Sequence, residues 1–221
     1  MAASAENESP AGRTERRKAR TAQGILEAAE RLFLERGYRS TTVDDLAAEA
    51  DVALGTLYAH FGGKDGVYAA LVDRALELDR RYCDEGFDSG KTPLEHLVGL
   101  SEGYLRFARE HPAYFRVFRF PPADVPSGGP VAEAGERVTE RLQAEVARMS
   151  SALAEAIAEG LVRPVEPRRA AVFLWSAWDG VIAAHVLPGN MGLEEREFDE
   201  VLELARGVLT LGLLAPAGDR S

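Results

Sequence analysis

Only one of the 221 residues is a cysteine, Cys83, so an internal disulfide framework is excluded and a reducing cytoplasm is the expected location. Arg80 and Arg81 near that thiol are opposed by Asp84 and Glu85, which favours a small apolar filler over a reactive thiolate. Histidine is scarce as well. His60, His96, His111 and His185 form no close pair at metal-ligand spacing, so neither a metal nor a cofactor is expected. Residues 1–12 lack the basic start and apolar stretch of a secretory leader and read as a disordered tail, as do residues 217–221. One apolar run, 170–187, approaches membrane length, but Asp179 and His185 interrupt it at high cost in lipid, so no membrane partner is expected. Basic residues are outnumbered 26 to 36 by acidic ones, giving a net charge of −10. That excludes a protein that coats nucleic acid over its whole surface, and any DNA contact must be local.

Strict two-residue alternation is missing, whereas three- and four-residue apolar spacing recurs throughout, so the expected fold is all-α. A first helix is expected over about 21–36, with Ile25, Ala28, Ala29, Leu32 and Phe33 on one face and Gly37 ending it. Two short helices follow, then a longer one from about Lys64 that fades in 85–90. Pro93 opens the next helix and His111-Pro112 closes it; a short aromatic helix holds Tyr114, Phe115 and Phe118. Residues 121–130, rich in Pro and Gly, read as a loop. Val138, Leu142, Val146, Met149, Leu153 and Ile157 mark a long helix closed by Gly160. The segment 170–187 is apolar nearly all round, and Phe198, Val201, Leu202, Ala205, Val208, Leu209 and Leu213 form one stripe. A helix apolar on every side is buried on every side, one side against its own bundle and the other against a second copy of the chain.

The basic residues that exist are concentrated. Arg13, Arg16, Arg17, Lys18 and Arg20 stand against one acid, Glu15, and Arg17, Lys18 and Arg20 are candidate DNA contacts. The stretch from Thr42 to Phe61 then reads as a helix-turn-helix. Thr42 with Asp45 three positions on forms a capping box, and Val43, Leu46, Ala47 and Ala50 give the helix a buried stripe. Asp51 occupies a turn that calls for a positive φ, and Val52 and Leu57 plug the angle between the helices. The second helix leaves Leu54, Gly55, Thr56, Tyr58 and His60 free to meet double-stranded DNA.

This string resembles the TetR family of bacterial transcriptional regulators: a first helix ending in Gly-Tyr (Gly37-Tyr38), a Thr-Thr-Val start (Thr41-Thr42-Val43), a Gly-Thr-Leu-Tyr-x-His-Phe recognition helix (residues 55–61) and Lys64 at the next helix start. The match covers about residues 23–71. The resemblance implies that Thr56 and Tyr58 contact bases or phosphates, and that Thr42, His60 and Lys64 hold the DNA backbone. Asp51 departs from the family's usual Gly, and Ala53 and Leu54 replace the common Ser and a polar or basic residue. Leu54 suits a thymine methyl and has no donor for guanine. Asp44 lies where some members place a basic contact.

The resemblance also implies a three-helix DNA-binding domain over 13–66 and a helical ligand-binding and dimerisation domain over 67–216. Trp175-Ser-Ala-Trp178-Asp179-Gly180 looks like the penultimate helix of many members. The last two helices, about 168–187 and 197–214, would form a homodimeric four-helix interface. Tyr104, Phe107, Phe115, Phe118, Met149, Trp175 and Asp179 are the candidate ligand contacts, gathering large apolar surface around one acid that calls for a partner such as Arg116 or Arg119. The expected function is a homodimeric repressor released from its DNA operator by a small, largely apolar effector. A constitutive, ligand-free DNA-binding or scaffolding dimer is the alternative. An enzyme using Asp179 and His185 as acid and base is disfavoured, because the two face different directions on one helix.

Overall fold

The computed structural model describes residues 10–123, 125–187, 189 and 191–215. Among them are nine helices and no strand: α1 (Pro10–Arg36), α2 (Val43–Glu49), α3 (Leu54–Phe61), α4 (Lys64–Asp88), α5 (Pro93–Glu110), α6 (Pro112–Arg119), α7 (Gly129–Ala158), α8 (Pro167–Val186) and α9 (Glu195–Leu213). They divide into two compact units, the first reaching to Asp73 and including Pro121–Ala134, the second formed by Arg74–Phe120 and the chain from Gly135 onward.

In the first unit the expected stripe of α1 is buried, with Ile25, Ala28 and Ala29 fully shielded, as are Leu46, Leu57, Val67 and Leu71 of the same unit. Gly37 takes φ +83° and its N–H donates to Phe33 O at 3.1 Å, a left-handed stop that a side chain would resist. Phe33, Tyr38 and Tyr68 then meet with ring centroids 5.4–5.9 Å apart and lock the first helix end onto α4.

Two helices begin earlier than apolar periodicity indicates. The helix α1 starts at Pro10, so residues 10–12 are helical and only 1–9 of the expected tail fall outside the described residues, together with 217–221. The added turns carry Arg, Lys, Ala and Thr but no buried stripe, and a reading keyed to apolar spacing cannot see them. A Lys18–Glu15 pair at 3.0 Å, three residues apart, supports that solvated stretch. Likewise α7 starts at Gly129, inside the segment expected to be a loop, with Pro130 in its first turn.

In the second unit α4 and α5 cross closely. A Cβ placed on Gly99 would lie 2.0 Å from Gly86 O, and one on Gly103 would lie 2.2 Å from Tyr82 O. Only hydrogen fits there, so the two backbones touch. Capping follows the local sequence: Thr92 and Glu95 form a capping box ahead of α5, and Glu166 accepts from Arg168 N and Arg169 N at the start of α8. The end of α9 is strapped to the α7–α8 connection by Arg163 N to Leu213 O (2.8 Å) and Ala215 N to Leu161 O (3.0 Å).

Within this unit α8 is buried on one side only. Ala171, Leu174, Trp175, Trp178 and Ile182 are shielded, whereas Phe173 is 62% exposed and Val172 is also open. Of the stripe expected on α9, Phe198 and Leu202 are buried and Val208 lies open; Leu204 and Leu211 (78% exposed), outside that stripe, lie open as well. Burial on every side is therefore not reached within one chain.

Candidate functional site

The helix-turn-helix is built by α2, α3 and the turn between them. Thr42 caps α2: its hydroxyl donates to Asp45 Oδ2 at 2.6 Å, its N–H donates to the same oxygen at 2.8 Å, and Asp45 N returns a bond to Thr42 Oγ1 at 3.0 Å. The Thr42 hydroxyl and backbone bonds, aided by Arg36, hold the Asp45 carboxyl below its ordinary range. Both donors of Thr42 are thus engaged inside the cap, and neither is left over for a phosphate. Asp51 holds the turn at φ +51°, with Val52 N donating to Ala47 O at 3.0 Å. Leu57 alone of α3 is fully buried, which fixes the rotation of that helix.

With Leu57 inward, Leu54, Gly55, Tyr58 and Ala59 form the exposed face of α3, and Thr56 and His60 lie along a half-buried flank. Tyr58 is 48% exposed. Among the described residues, Thr56 Oγ1, Tyr58 Oη and the His60 ring nitrogens have no hydrogen-bond partner. Three uncommitted polar groups on a helix of eight residues are what a phosphate or a base edge requires. Lys64 has a different placement. Its ammonium donates to Tyr38 O (3.0 Å) and Thr41 O (2.9 Å) and sits 4.3 Å from the Tyr38 ring centroid. It ties the start of α4 to the α1–α2 connection, and Tyr38 Oη in turn bonds Asp65. Two of its three protons are therefore spent within the fold.

On α1 the spacing 13, 16, 17, 20 gathers four arginines on one face, where they line a shallow groove with Thr21. Lys18 is turned away and paired with Glu15. Arg17 and Arg20 thus keep company with Arg13 and Arg16 rather than with Lys18.

In the second unit Tyr104, Phe107, Phe115, Phe118, Met149 and Trp175 are core residues, and the five rings form a connected cluster with Tyr104 and Trp175 centroids 4.5 Å apart. Asp179 is met by Arg119 Nε at 3.1 Å and Arg119 Nη2, and it accepts from Tyr104 Oη at 2.6 Å. Arg119, rather than Arg116, is the partner that the acid requires. Burial, followed by the charge of Asp179, pushes the Tyr104 phenol well above its ordinary range and keeps it a donor. His185 is committed elsewhere, stacked on Phe198 at 4.5 Å and bonded to Leu193 O at 2.8 Å, so Asp179 and His185 do not form an acid–base pair. An apolar cavity of about 340 Å³ lies instead between α5, α8 and α9, lined by Leu97, Val98, Leu105, Leu174, Trp178 and Leu209 among others.

Two family models match the chain. The family described as "Bacterial regulatory proteins, tetR family" matches residues 25–71, and "Tetracyclin repressor-like, C-terminal domain" matches residues 97–208. The chain belongs to the TetR family. The HTH-type transcriptional repressor KstR2 of Mycobacterium tuberculosis is 38% identical over 96 residues, covering 43% of this chain and 48% of that protein. The chain thus matches about half the length of that relative. TetR-type structures share the fold: PfmR of Thermus thermophilus (TM-score 0.69, 22% identity, 85% of this chain and 97% of that one) and AibR in complex with isovaleryl coenzyme A and operator DNA (TM-score 0.64, 20% identity, 83% and 97%).

A buried ion network in this TetR-family chain escaped sequence reasoning. Asp79 of α4, fully buried, accepts from Arg141 Nε of α7 at 2.8 Å and from Cys83 Sγ at 3.6 Å. Glu145 joins Arg141 to Arg148, which reaches Asp84 at 2.6 Å. Burial, only partly offset by Arg141, pushes Asp79 up to about 6, and burial pushes the Cys83 thiol well above its ordinary value. Cys83 is therefore an inert core thiol. The available signal was an acid next to the apolar stripe of Ala75, Leu78 and Tyr82, which is where a buried charge would need a partner.

Proposed function

We propose that this chain is a transcriptional repressor that binds operator DNA as a homodimer through α3 and is released when a small molecule occupies its second unit. The observation that carries the reading is the set of uncommitted Thr56, Tyr58 and His60 groups on α3, the second helix of the helix-turn-helix, which lies within the matched residues 25–71. The four-arginine face of α1 supplies positive charge to a chain of net charge −10, which suits local contact with phosphates. Leu54 beside Tyr58 favours contact with a thymine methyl over a bond to guanine, so DNA shape and half-site spacing carry a larger share of specificity. Lys64 acts by holding the α1–α2 connection, with one proton left for a phosphate.

The open apolar faces of α8 and α9 support pairing with a second copy, since a self-complementary patch closes as a two-fold dimer. Two recognition helices then meet half-sites about 34–36 Å apart. A ligand that binds best to a dimer with a different spacing lowers operator affinity by its preference for that state. The relative KstR2 carries the name of a repressor, and the AibR structure holds an acyl-coenzyme A together with operator DNA.

The test uses DNA selected from a random library by the purified protein. Tyr58→Ala is expected to weaken that complex at least about tenfold with unchanged helical content. Equal affinity of wild type and Tyr58→Ala would remove α3 as the reading helix.

A further inference from the structure

The aromatic side chains that gather in the second unit fill its core, whereas the cavity between α5, α8 and α9 has room for a ligand. Its volume of about 340 Å³ stands at the lower end of small-molecule sites. Val162 and Leu214, both in the lining, are joined by an antiparallel backbone bridge, so that part of the wall is held by main-chain bonds. The lining is leucine, valine and Trp178, apart from Ser101, Glu102, Arg206 and Thr210.

Those polar groups are not equivalent. The Ser101 hydroxyl donates to Leu97 O at 3.0 Å, and Arg206 donates to Glu203 at 2.8 Å. Arg106 and Arg109, which line the adjoining groove with Glu102, pair with Glu85 and with Asp199 respectively. Glu102 is left with no hydrogen bond or ion pair among the described residues. The charge at the cavity without a protein partner is one solvent-exposed carboxylate beside an apolar hollow. An ammonium group complements it, and an anionic head would be repelled.

We propose that this cavity is the effector site and that it takes a small lipophilic amine, the apolar body among Leu97, Leu174, Trp178 and Leu209 and the ammonium at Glu102. The proposal rests on the reading of the chain as a ligand-released repressor. At 100° per residue, Arg206, Leu209, Thr210 and Leu213 occupy the side of α9 opposite Leu204, Val208 and Leu211. Leu174 and Trp178 of α8 likewise lie opposite Val172 and Phe173. Both helices carry the cavity on one side and the open apolar face on the other. A ligand that fills the cavity therefore acts on the helices that would hold the dimer.

The test uses the full chain with three probes of equal tail, 1-decylamine, 1-decanol and decanoate, below their micelle-forming concentrations. Tryptophan fluorescence and thermal melting report binding, and Val98→Trp and Glu102→Gln serve as variants. Val98 is 51% exposed at the cavity, so a larger side chain obstructs it without invading the core. Decylamine is expected to bind about tenfold or more tighter than decanoate, with decanol between them. Glu102→Gln is expected to weaken the amine about tenfold and leave decanol unchanged, and Val98→Trp to block all three. Absence of binding by every probe, equal affinity for amine and carboxylate, an amine affinity unchanged in Glu102→Gln, or intact binding in Val98→Trp would overturn the site. Amine binding in the expected pattern without loss of operator affinity would overturn the ligand-released reading and leave the site standing. Release of operator by a compound whose action Val98→Trp leaves intact would do the reverse.

Discussion

Asp51 and Asp79 each hold a position at some cost in stability, for different reasons. Asp51 is the one non-glycine residue with positive φ among the described residues, in the turn that sets the angle between α2 and α3. A β-carbon in the left-handed region costs about 1 kcal/mol, and Asp tolerates it better than most. Asp51→Gly is expected to raise stability by up to about 1 kcal/mol, less the entropy that glycine adds to the unfolded chain, with DNA affinity retained. A lowered melting temperature would show that the Asp51 side chain contributes a bond that outweighs its strain. Asp79 is costly because it is buried. Its carboxyl is raised from 3.8 to about 6, so the folded state holds its proton more tightly than the unfolded chain does. Its contribution is fully favourable below about pH 4 and is lost as pH rises through 6, a swing of about 3 kcal/mol. Asp79→Asn, which can still accept from Arg141, is expected to remove that swing. The unfolding free energies of wild type and variant, compared from pH 4.5 to 8, should diverge with rising pH in favour of the variant.

At the scale of elements, the crossing of α4 and α5 depends on the absence of side chains. Gly99→Ala places a methyl group 2.0 Å from Gly86 O, a backbone atom that moves only with its helix. The gain in helix propensity, about 1 kcal/mol, is smaller than the cost of forcing two helices apart, about 1–3 kcal/mol. A net loss of about 1 kcal/mol is expected in urea unfolding. Gly135 in α7 has nothing within 4 Å of an added Cβ, and Gly135→Ala is expected to stabilise by about 0.5–1 kcal/mol. Stabilisation by both substitutions would mean that the crossing relaxes freely. On α1 the element-level finding is that the basic residues sit on a helix rather than in a tail, so four arginines are presented along one face.

At the scale of the whole molecule, Val172, Phe173, Leu204, Val208 and Leu211 expose more large apolar surface on two packed helices than scattered exposure accounts for. Phe173→Glu with Leu211→Glu is expected to shift the chain from dimer to monomer in sedimentation, because four carboxylates would meet across a two-fold interface. Operator affinity should fall with it, since one half-site supplies only half the contacts. An unchanged sedimentation coefficient would place the interface elsewhere. Among the described residues no helix is long and apolar enough to cross a membrane.

Periodicity and short motifs were enough for the all-α class, the capping box at Thr42, the positive φ at Asp51 and the helix-turn-helix, because each is set by residues within about one turn of one another. The buried stripe of α1 and its stop at Gly37 were legible for the same reason. The solvated starts of α1 and α7 were not, since polar helix turns carry no apolar period. Which polar atoms are already committed was decided only by the tertiary structure: Thr42 by its cap, Lys64 by carbonyls 23 and 26 residues away, Asp179 by Arg119 60 residues earlier. The same holds for the ligand space. Sequence names the large apolar residues of a bundle, but whether they fill a core or border a cavity depends on how helices distant in the chain pack, and here the aromatics filled the core while leucines bordered the cavity.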